Sequence, residues 1–308
     1  MSAAAEIRLL ARELRPESPS LLGNFRFSID QVISESGSPA RFHSRGDFAM
    51  FVTMLAKLQR ARKRLLQMHF ESCVGHIGGN LSALDAMMVL YHKVLCPDDV
   101  FILSKGHAAG ALYVTLWTAG KLSDDDLKTF HGEGTRLSAH PAPGWSADIP
   151  FATGSLGHGL PDAAGIALGL RLQGRPGRIF CLTSDAEWQE GSNWEALIFA
   201  RHHRLRNLCV VIDENRLQGF GTTQDVASMD PLADKLAGFG LDITHADGHN
   251  VGEMRSAFEA PSKEGPRIVV LRTTKGHGVS FMENAMEWHY LPLSPDQYRA
   301  ALAEADAE

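Results

Sequence analysis

Asp185 follows an apolar run over residues 179–183, and Asn215 follows a second over residues 208–212. A carboxylate, an amide oxygen and the main-chain carbonyl of Leu217 just beyond are hard oxygen donors. A divalent cation such as Mg²⁺ takes near-octahedral oxygen coordination, with few protein ligands and the remainder from phosphate oxygens and water. These three groups would supply half such a shell and leave the rest to a diphosphate. An aspartate that ends a strand is also ordinary in any α/β protein, so the pair needs supporting residues.

Histidines supply them. The chain has 14, and four fall in loop-like sequences: His76 in Gly75-His76-Ile77-Gly78-Gly79, His107 in Ser104-Lys105-Gly106-His107, His140 in Ser138-Ala139-His140-Pro141 and His289 in Glu287-Trp288-His289-Tyr290. Imidazole donates or accepts a proton near neutral pH with little tuning, which suits acid–base work on hydroxyls and contacts to phosphate. Taken singly, each reads first as a hydrogen-bonded structural group; four in order with matching flanks reverse that reading. Thr153-Gly154-Ser155-Leu156-Gly157-His158-Gly159 is a glycine-rich turn that opens a helix; such a backbone can approach a ring or a phosphate closely, and a plain helix start fits as well. Glu190, ahead of Trp194, reads as a first-turn acid. Lys275 and His277, in Lys275-Gly276-His277-Gly278, read first as shapers of a loop.

The elements that must position these groups follow from periodicity. Strands are expected over residues 100–103, 179–183, 208–212, 243–246 and 268–272. Helices are expected from residue 51 onward through Met54, Leu55, Leu58, Leu65 and Leu66, then over 82–94, 106–119, 159–173, 194–203, 230–239 and 251–260. Strands alternating with helices predict an α/β fold, a parallel sheet with helices on both faces. Right-handed crossovers in such a sheet bring Asp185 and Asn215 together at its carboxyl edge, where open α/β folds bind ligands. Residues 1–50 read as an N-terminal extension with a short helix over 7–14 and a Ser/Gly/Pro-rich stretch, residues 51–292 as the binding domain, and residues 293–308 as a helix-forming, acidic, solvated tail.

Composition narrows the function classes. The 308 residues are 44% hydrophobic and 21% charged, as in a soluble globular protein. Lys+Arg 30 against Asp+Glu 36 gives a net charge of −6, with no basic stretch to follow a nucleic-acid backbone. No apolar run reaches membrane-spanning length, and no leader-like segment opens the chain. Cys73, Cys96, Cys181 and Cys209 are widely spaced, without a Cys-x-x-Cys pair, and are expected reduced and buried. A cytoplasmic location is expected, with no nucleic acid and no membrane as partner.

In the order and flanks of these motifs the chain resembles the transketolase family, and specifically its thiamine-diphosphate-binding domain. The resemblance covers about residues 51–292. The family's Gly-Asp-Gly appears here as Ser184-Asp185-Ala186, and its distant asparagine as Asn215. The resemblance implies thiamine diphosphate with Mg²⁺, or Ca²⁺ or Mn²⁺, as cofactors. It implies Asp185, Asn215 and Leu217 as metal ligands, and His107, His289 and the Ala186 N–H as diphosphate contacts. Gly154 and Leu156 would lie against the coenzyme rings, and Glu190 would work in a hydrogen-bond network at a subunit interface. His76 and His140 would face the reactive carbon and the donor sugar, with His107 and His289 completing the catalytic set. His158 and Pro161 depart from the commoner Gln and Ser.

In that family a second α/β domain, the pyrimidine domain, carries the glutamate that activates the coenzyme. Because the patterned region ends near Pro292, the resemblance implies a split transketolase. The pyrimidine domain would then lie on a C-terminal subunit, with an α₂β₂ heterotetramer as the assembly. The expected activity is transfer of a two-carbon ketol unit from a ketose to an aldose, on sugar or sugar-phosphate substrates. Two other readings stand beside it: the α-subunit of a thiamine-dependent 2-oxo-acid dehydrogenase, and a non-catalytic partner that keeps the fold.

Overall fold

The computed structural model describes residues 45–307, so the helix expected over 7–14 and most of the extension over 1–50 lie outside the described residues. Helix α1 (Arg45–Ser72) places Met54, Leu55, Leu58, Leu65 and Leu66 in the core, as their spacing requires. Helix α2 (Ile77–Val89) is buried at every position and runs into a π-turn at Leu90–Val94. It begins five residues ahead of the expected start at Ser82, because Gly78 and Gly79 lower local propensity and hide the first turn from a sequence pattern. Packing accounts for the glycines: a Cβ on Gly78 would lie 3.1 Å from Lys275 Cγ, and one on Gly79 would lie 3.4 Å from the His107 ring.

Strand β1 (Val100–Leu103), helix α3 (Ala109–Thr118), helix α4 (Gly159–Leu172), strand β2 (Ile179–Ser184), helix α5 (Gly191–His202) and strand β3 (Leu208–Glu214) follow. Then come α6 (Leu232–Ala237), β4 (Ile243–Asp247), α7 (Val251–Glu259), β5 (Arg267–Arg272) and α8 (Pro295–Ala307). The five strands form one sheet in the order β1-β2-β3-β5-β4, and every pairing is parallel.

Alternation along the strands splits the core into two layers. Phe101, Leu103, Phe180, Leu182, Val211, Val269 and Leu271 face the layer covered by α1, α2, α3, α7 and α8. Ile102, Ile179, Cys181, Val210, Ile212, Ile268 and Val270 face the layer covered by α4, α5 and α6. Helices therefore lie on both faces, and burial of each such large side chain contributes about 1.5–3 kcal/mol.

Three expectations change. Cys181 and Cys209 are buried in strands, but Cys73 and Cys96 are exposed, since they sit in the turns that end α1 and precede β1. The tail is not a solvated appendage: Ala301 and Ala305 are fully buried, the Tyr298 ring stacks on Phe70 at 4.3 Å, and Gln59 Nε2 donates to the Ala305 carbonyl at 3.0 Å. The helix expected over 230–239 shortens to Leu232–Ala237, with Pro231 as its N-cap.

Candidate functional site

Four neighbouring strands end at one edge and deliver the site. The segment after β1 carries Lys105 and His107, that after β2 Asp185, that after β3 Asn215 and Leu217, and that after β5 Lys275. The turn between α1 and α2 adds His76, and the loop ahead of α4 adds Gly154 and Leu156. Together they enclose a cavity of about 350 Å³ lined by His76, His107, His140, His289, Gly154, Leu156, Ala186, Glu190, Asn215, Leu217 and Lys275. Asp185 lies buried beneath this wall. The four histidines, Gly154, Leu156, Ala186, Glu190, Asn215 and Leu217 are thus brought to one cavity, and Asp185 sits next to its wall between Ser184 and Ala186 without lining it.

The histidines form a ring system centred on His76. Its centroid lies 4.9 Å from that of His289, 5.6 Å from His107 and 5.9 Å from His140. Asn80 locks part of this geometry: its Nδ2 donates to the carbonyls of His76 at 2.8 Å and His107 at 3.0 Å, and its Oδ1 accepts the Ala111 N–H at 2.8 Å. Burial first, then the charges of His140, Lys275 and Lys105, lowers the His76 pKa to about 4. Burial, with Lys275, His76 and Lys105, takes His289 to about 3, and His107 is pushed well below its ordinary value by burial and Lys105. These rings stay neutral at pH 7 and retain both a donor and an acceptor nitrogen.

At the oxygen-rich end, Asp185 Oδ1 accepts the Ala186 N–H at 2.8 Å and Oδ2 accepts the Arg216 N–H at 2.6 Å. Asn215 Oδ1 accepts the Leu217 N–H at 3.0 Å. A left-handed Arg216, at φ 63°, makes the turn between them. Each of these side-chain oxygens keeps a free lone pair after its backbone bonds. Burial, then the neighbouring Asp213 charge, raises the Asp185 pKa to about 7. A carboxylate held in that condition beside an amide oxygen and a carbonyl matches the donor set of a hard divalent cation. The Ala186 N–H, expected to meet a phosphate, is here donated to Asp185.

Three features escaped sequence reasoning. The Lys275 ammonium, read as part of a loop shaper, enters the cavity: Nζ lies 2.9 Å from His289 Nδ1 and 3.5 Å from the Leu217 carbonyl, and burial followed by Lys105 lowers its pKa to about 8. Below the cavity, Lys105 is fully buried and paired with Asp213, which also accepts from Ser82 Oγ at 2.7 Å and from Thr273 Oγ1. Burial alone would raise the Asp213 pKa, but Lys105 and these hydroxyls hold it below the usual value. Glu187, also fully buried, accepts from Ser104 Oγ, from the Gly157 N–H at 2.9 Å and from the Ser184 N–H at 3.1 Å. It ties the glycine-rich turn to the ends of β1 and β2. Gly157 itself must be glycine: φ is 79°, and a Cβ would come within 2.6 Å of Glu190 Cβ and of Ser192 Oγ. The only sequence signal for these residues was their place next to strand ends.

The cavity also holds polar atoms in need of a partner. His76 Nδ1 and Gln218 Nε2 are buried without one, and both residues line the wall. A ligand oxygen would satisfy the Gln218 amide donor, and His76 Nδ1 can accept or donate according to its tautomer.

Fold and site together define a thiamine-diphosphate-binding domain, and the family model for "transketolase, thiamine diphosphate binding domain" matches residues 61–305. The chain belongs to the transketolase family. It is 35% identical over 263 residues to a subunit of the apulose-4-phosphate transketolase of Actinobacillus succinogenes, covering 82% of this chain and 95% of that protein. It is 37% identical over 246 residues to the 6-deoxy-6-sulfo-D-fructose transketolase subunit of a Clostridium species, covering 76% of this chain and 90% of that one. The crystal structure of Campylobacter jejuni transketolase superposes with a TM-score of 0.74 at 25% identity, over 82% of this chain but only 42% of the other. Leishmania mexicana transketolase gives 0.75 at 26% identity, over 82% and 41%. The chain therefore matches relatives named as subunits over nearly their whole length, and less than half of these solved transketolases.

Proposed function

We propose that the chain is the diphosphate-binding subunit of a two-chain transketolase, joined to a C-terminal subunit that supplies the pyrimidine domain, with an α₂β₂ heterotetramer as the working form. The naming of relatives as transketolase subunits, rather than whole enzymes, supports the division of labour. The observation that carries the reading is the convergence of four histidines, Lys275, Asn215 and Leu217 on one cavity, with Asp185 buried beside it and hydrogen-bonded to the Arg216 N–H.

In this reading Asp185, Asn215 and the Leu217 carbonyl hold Mg²⁺, for which Ca²⁺ or Mn²⁺ can substitute. Lys275, His107 and His289 hold the diphosphate, and the Ala186 N–H joins them by leaving Asp185 when the metal takes that carboxylate. Gly154 and Leu156 form the wall against the coenzyme rings, and Glu190 faces the subunit interface. Bound thiamine diphosphate supplies the carbon nucleophile and electron sink for ketol transfer. His76, with a free Nδ1, and His140 move protons to and from the hydroxyl and carbonyl oxygens of the ketose donor and the aldose acceptor. Neutral imidazoles suit this, since each can donate at one nitrogen and accept at the other.

The donor is a pathway-specific ketose with an anionic group, as in the names of the two subunit relatives. The complex acts in the cytoplasm, in keeping with cysteines that form no disulfide. The test is reconstitution with the partner subunit, followed by calorimetry with thiamine diphosphate and Mg²⁺ and by ketol-transfer assays. Coenzyme uptake and transfer from a ketose to an aldose are expected. Turnover of pyruvate with an electron acceptor instead, or no coenzyme uptake by the pair, would refute the assignment. Efficient turnover of xylulose 5-phosphate with ribose 5-phosphate would overturn the pathway-specific donor alone.

A further inference from the structure

Outside the cavity wall, Asp85 on α2, His249 just ahead of α7 and His277 in the loop after β5 converge, with their potential ligand atoms within 4.8 Å of one another. Such spacing suits a cation, but hydrogen bonds already commit both nitrogens of His249. His249 Nε2 accepts the Thr274 N–H at 2.9 Å, and Nδ1 lies 2.8 Å from Asp85 Oδ2. An Nε2 that accepts leaves the ring proton on Nδ1, so neutral His249 donates to Asp85. Arg62 brings a guanidinium 3.6 Å from the other Asp85 oxygen, so a positive charge already stands beside this carboxylate. The His277 ring stacks on His249 with centroids 3.5 Å apart.

We propose that His249, oriented by Asp85, is the positioning residue that sets the Thr274–Lys275 backbone so that the Lys275 ammonium points into the cavity. Asp85, His249 and the Thr274 N–H form an unbroken hydrogen-bonded path that ends one residue from Lys275. The loop is pinned from the same helix at a second point, where the Gly276 N–H donates to the Gly78 carbonyl at 3.0 Å. Helix α2 thereby fixes both sides of Lys275, and Ser82 on that helix also holds Asp213. A long, flexible lysine is useful for holding a diphosphate only if its backbone is fixed; otherwise the ordering of its side chain offsets the attraction. The cluster works through Lys275 and touches no ligand itself.

This inference rests on the reading that Lys275 holds the coenzyme diphosphate, and the experiment separates the two. Thiamine diphosphate with Mg²⁺ is titrated calorimetrically into the full chain with its partner subunit, for wild type, His249→Phe, His249→Gln, Lys275→Met and the Phe/Met double variant. Phe keeps the ring stacked on His277 but cannot accept the Thr274 N–H, whereas the Gln oxygen reaches the position of Nε2. His249→Phe is expected to weaken binding about tenfold, the scale of lost support behind a binding group. His249→Gln should stay within about threefold. In the Lys275→Met background the Phe substitution should add almost nothing, which a general loss of structure would not produce. Should His249→Phe fail to fold, His249→Asn, which stays polar beside Asp85 but falls short of Thr274, carries the same expectation. Wild-type affinity in a folded His249→Phe, or full additivity with Lys275→Met, would overturn the positioning role. Undiminished binding by Lys275→Met would instead overturn the role of Lys275, and the inference with it.

Discussion

Asp185 and Asp213 stand at the carboxyl ends of adjacent strands and are nearly equally buried, at 6% and 0% exposure, yet they live in opposite circumstances. Asp213 accepts from an ammonium and two hydroxyls and stays ionised. Asp185 accepts from two backbone N–H groups, has Asp213 as a like-charged neighbour, and is pushed up to about 7 by burial and that charge. Burial disfavours both charges alike; the supply of donors differs. The lysines repeat the contrast. Lys105 is matched to a carboxylate, whereas Lys275 meets a carbonyl and a neutral imidazole. A saturated polar layer carries the fold, and an unsaturated one directly above it is left for a ligand to complete.

The contrast can be broken most severely from below. Asp213→Ala leaves Lys105 buried without its partner, and denaturant unfolding should show a loss of about 3–5 kcal/mol. Asp185→Ala should do the reverse. Thermal melting of the chain without ligand should be unchanged or improved, while ketol transfer by the reconstituted pair falls by about 100- to 1000-fold, some 3–4 kcal/mol. Equal destabilisation by the two substitutions would dissolve the distinction.

Acid sharpens it further. His69, fully buried on α1 with Nδ1 3.2 Å from the Val74 carbonyl and Nε2 without a partner, has its pKa lowered from 6.5 to about 4, chiefly by burial. His92 moves in the same direction to about 4, by burial and the Lys57 charge. Between those values the unfolded chain binds protons that the folded chain refuses, so this stability is whole above about pH 6.5 and disappears as pH falls toward 4. His69→Gln should flatten that decline in unfolding free energy, by roughly 2–3 kcal/mol over the interval. An unchanged slope would show that His69 titrates normally. The smallest effect concerns the thiols: a thiol reagent should modify Cys73 and Cys96 in the native chain and reach Cys181 and Cys209 only after unfolding. Replacing Cys73 by Ser should alter stability by less than about 0.5 kcal/mol.

Much of this was legible in the sequence because it depends on short-range patterns. The buried strands show as apolar runs, and the sheet class follows from their alternation with helices. The metal-type pair follows from residues just past two strand ends, and the four histidines from their flanking motifs. The early start of α2 was hidden because Gly78 and Gly79 are poor helix formers whose places are set by contact with Lys275 and His107. The buried face of α8 was hidden because its tail is rich in alanine and acid, and its burial depends on packing against α1, which lies far off in the sequence.

By itself the sequence determined the elements, their parallel arrangement and the chemical types gathered at the carboxyl edge, since periodicity and strand-end position are local properties of the chain. Tertiary structure alone decided which of two like-charged neighbours is satisfied, which lysine is paired and which enters the cavity, and that His249 sits behind Thr274. Those outcomes depend on donors brought together from segments up to 164 residues apart, and no local pattern records whether a buried charge will meet its partner.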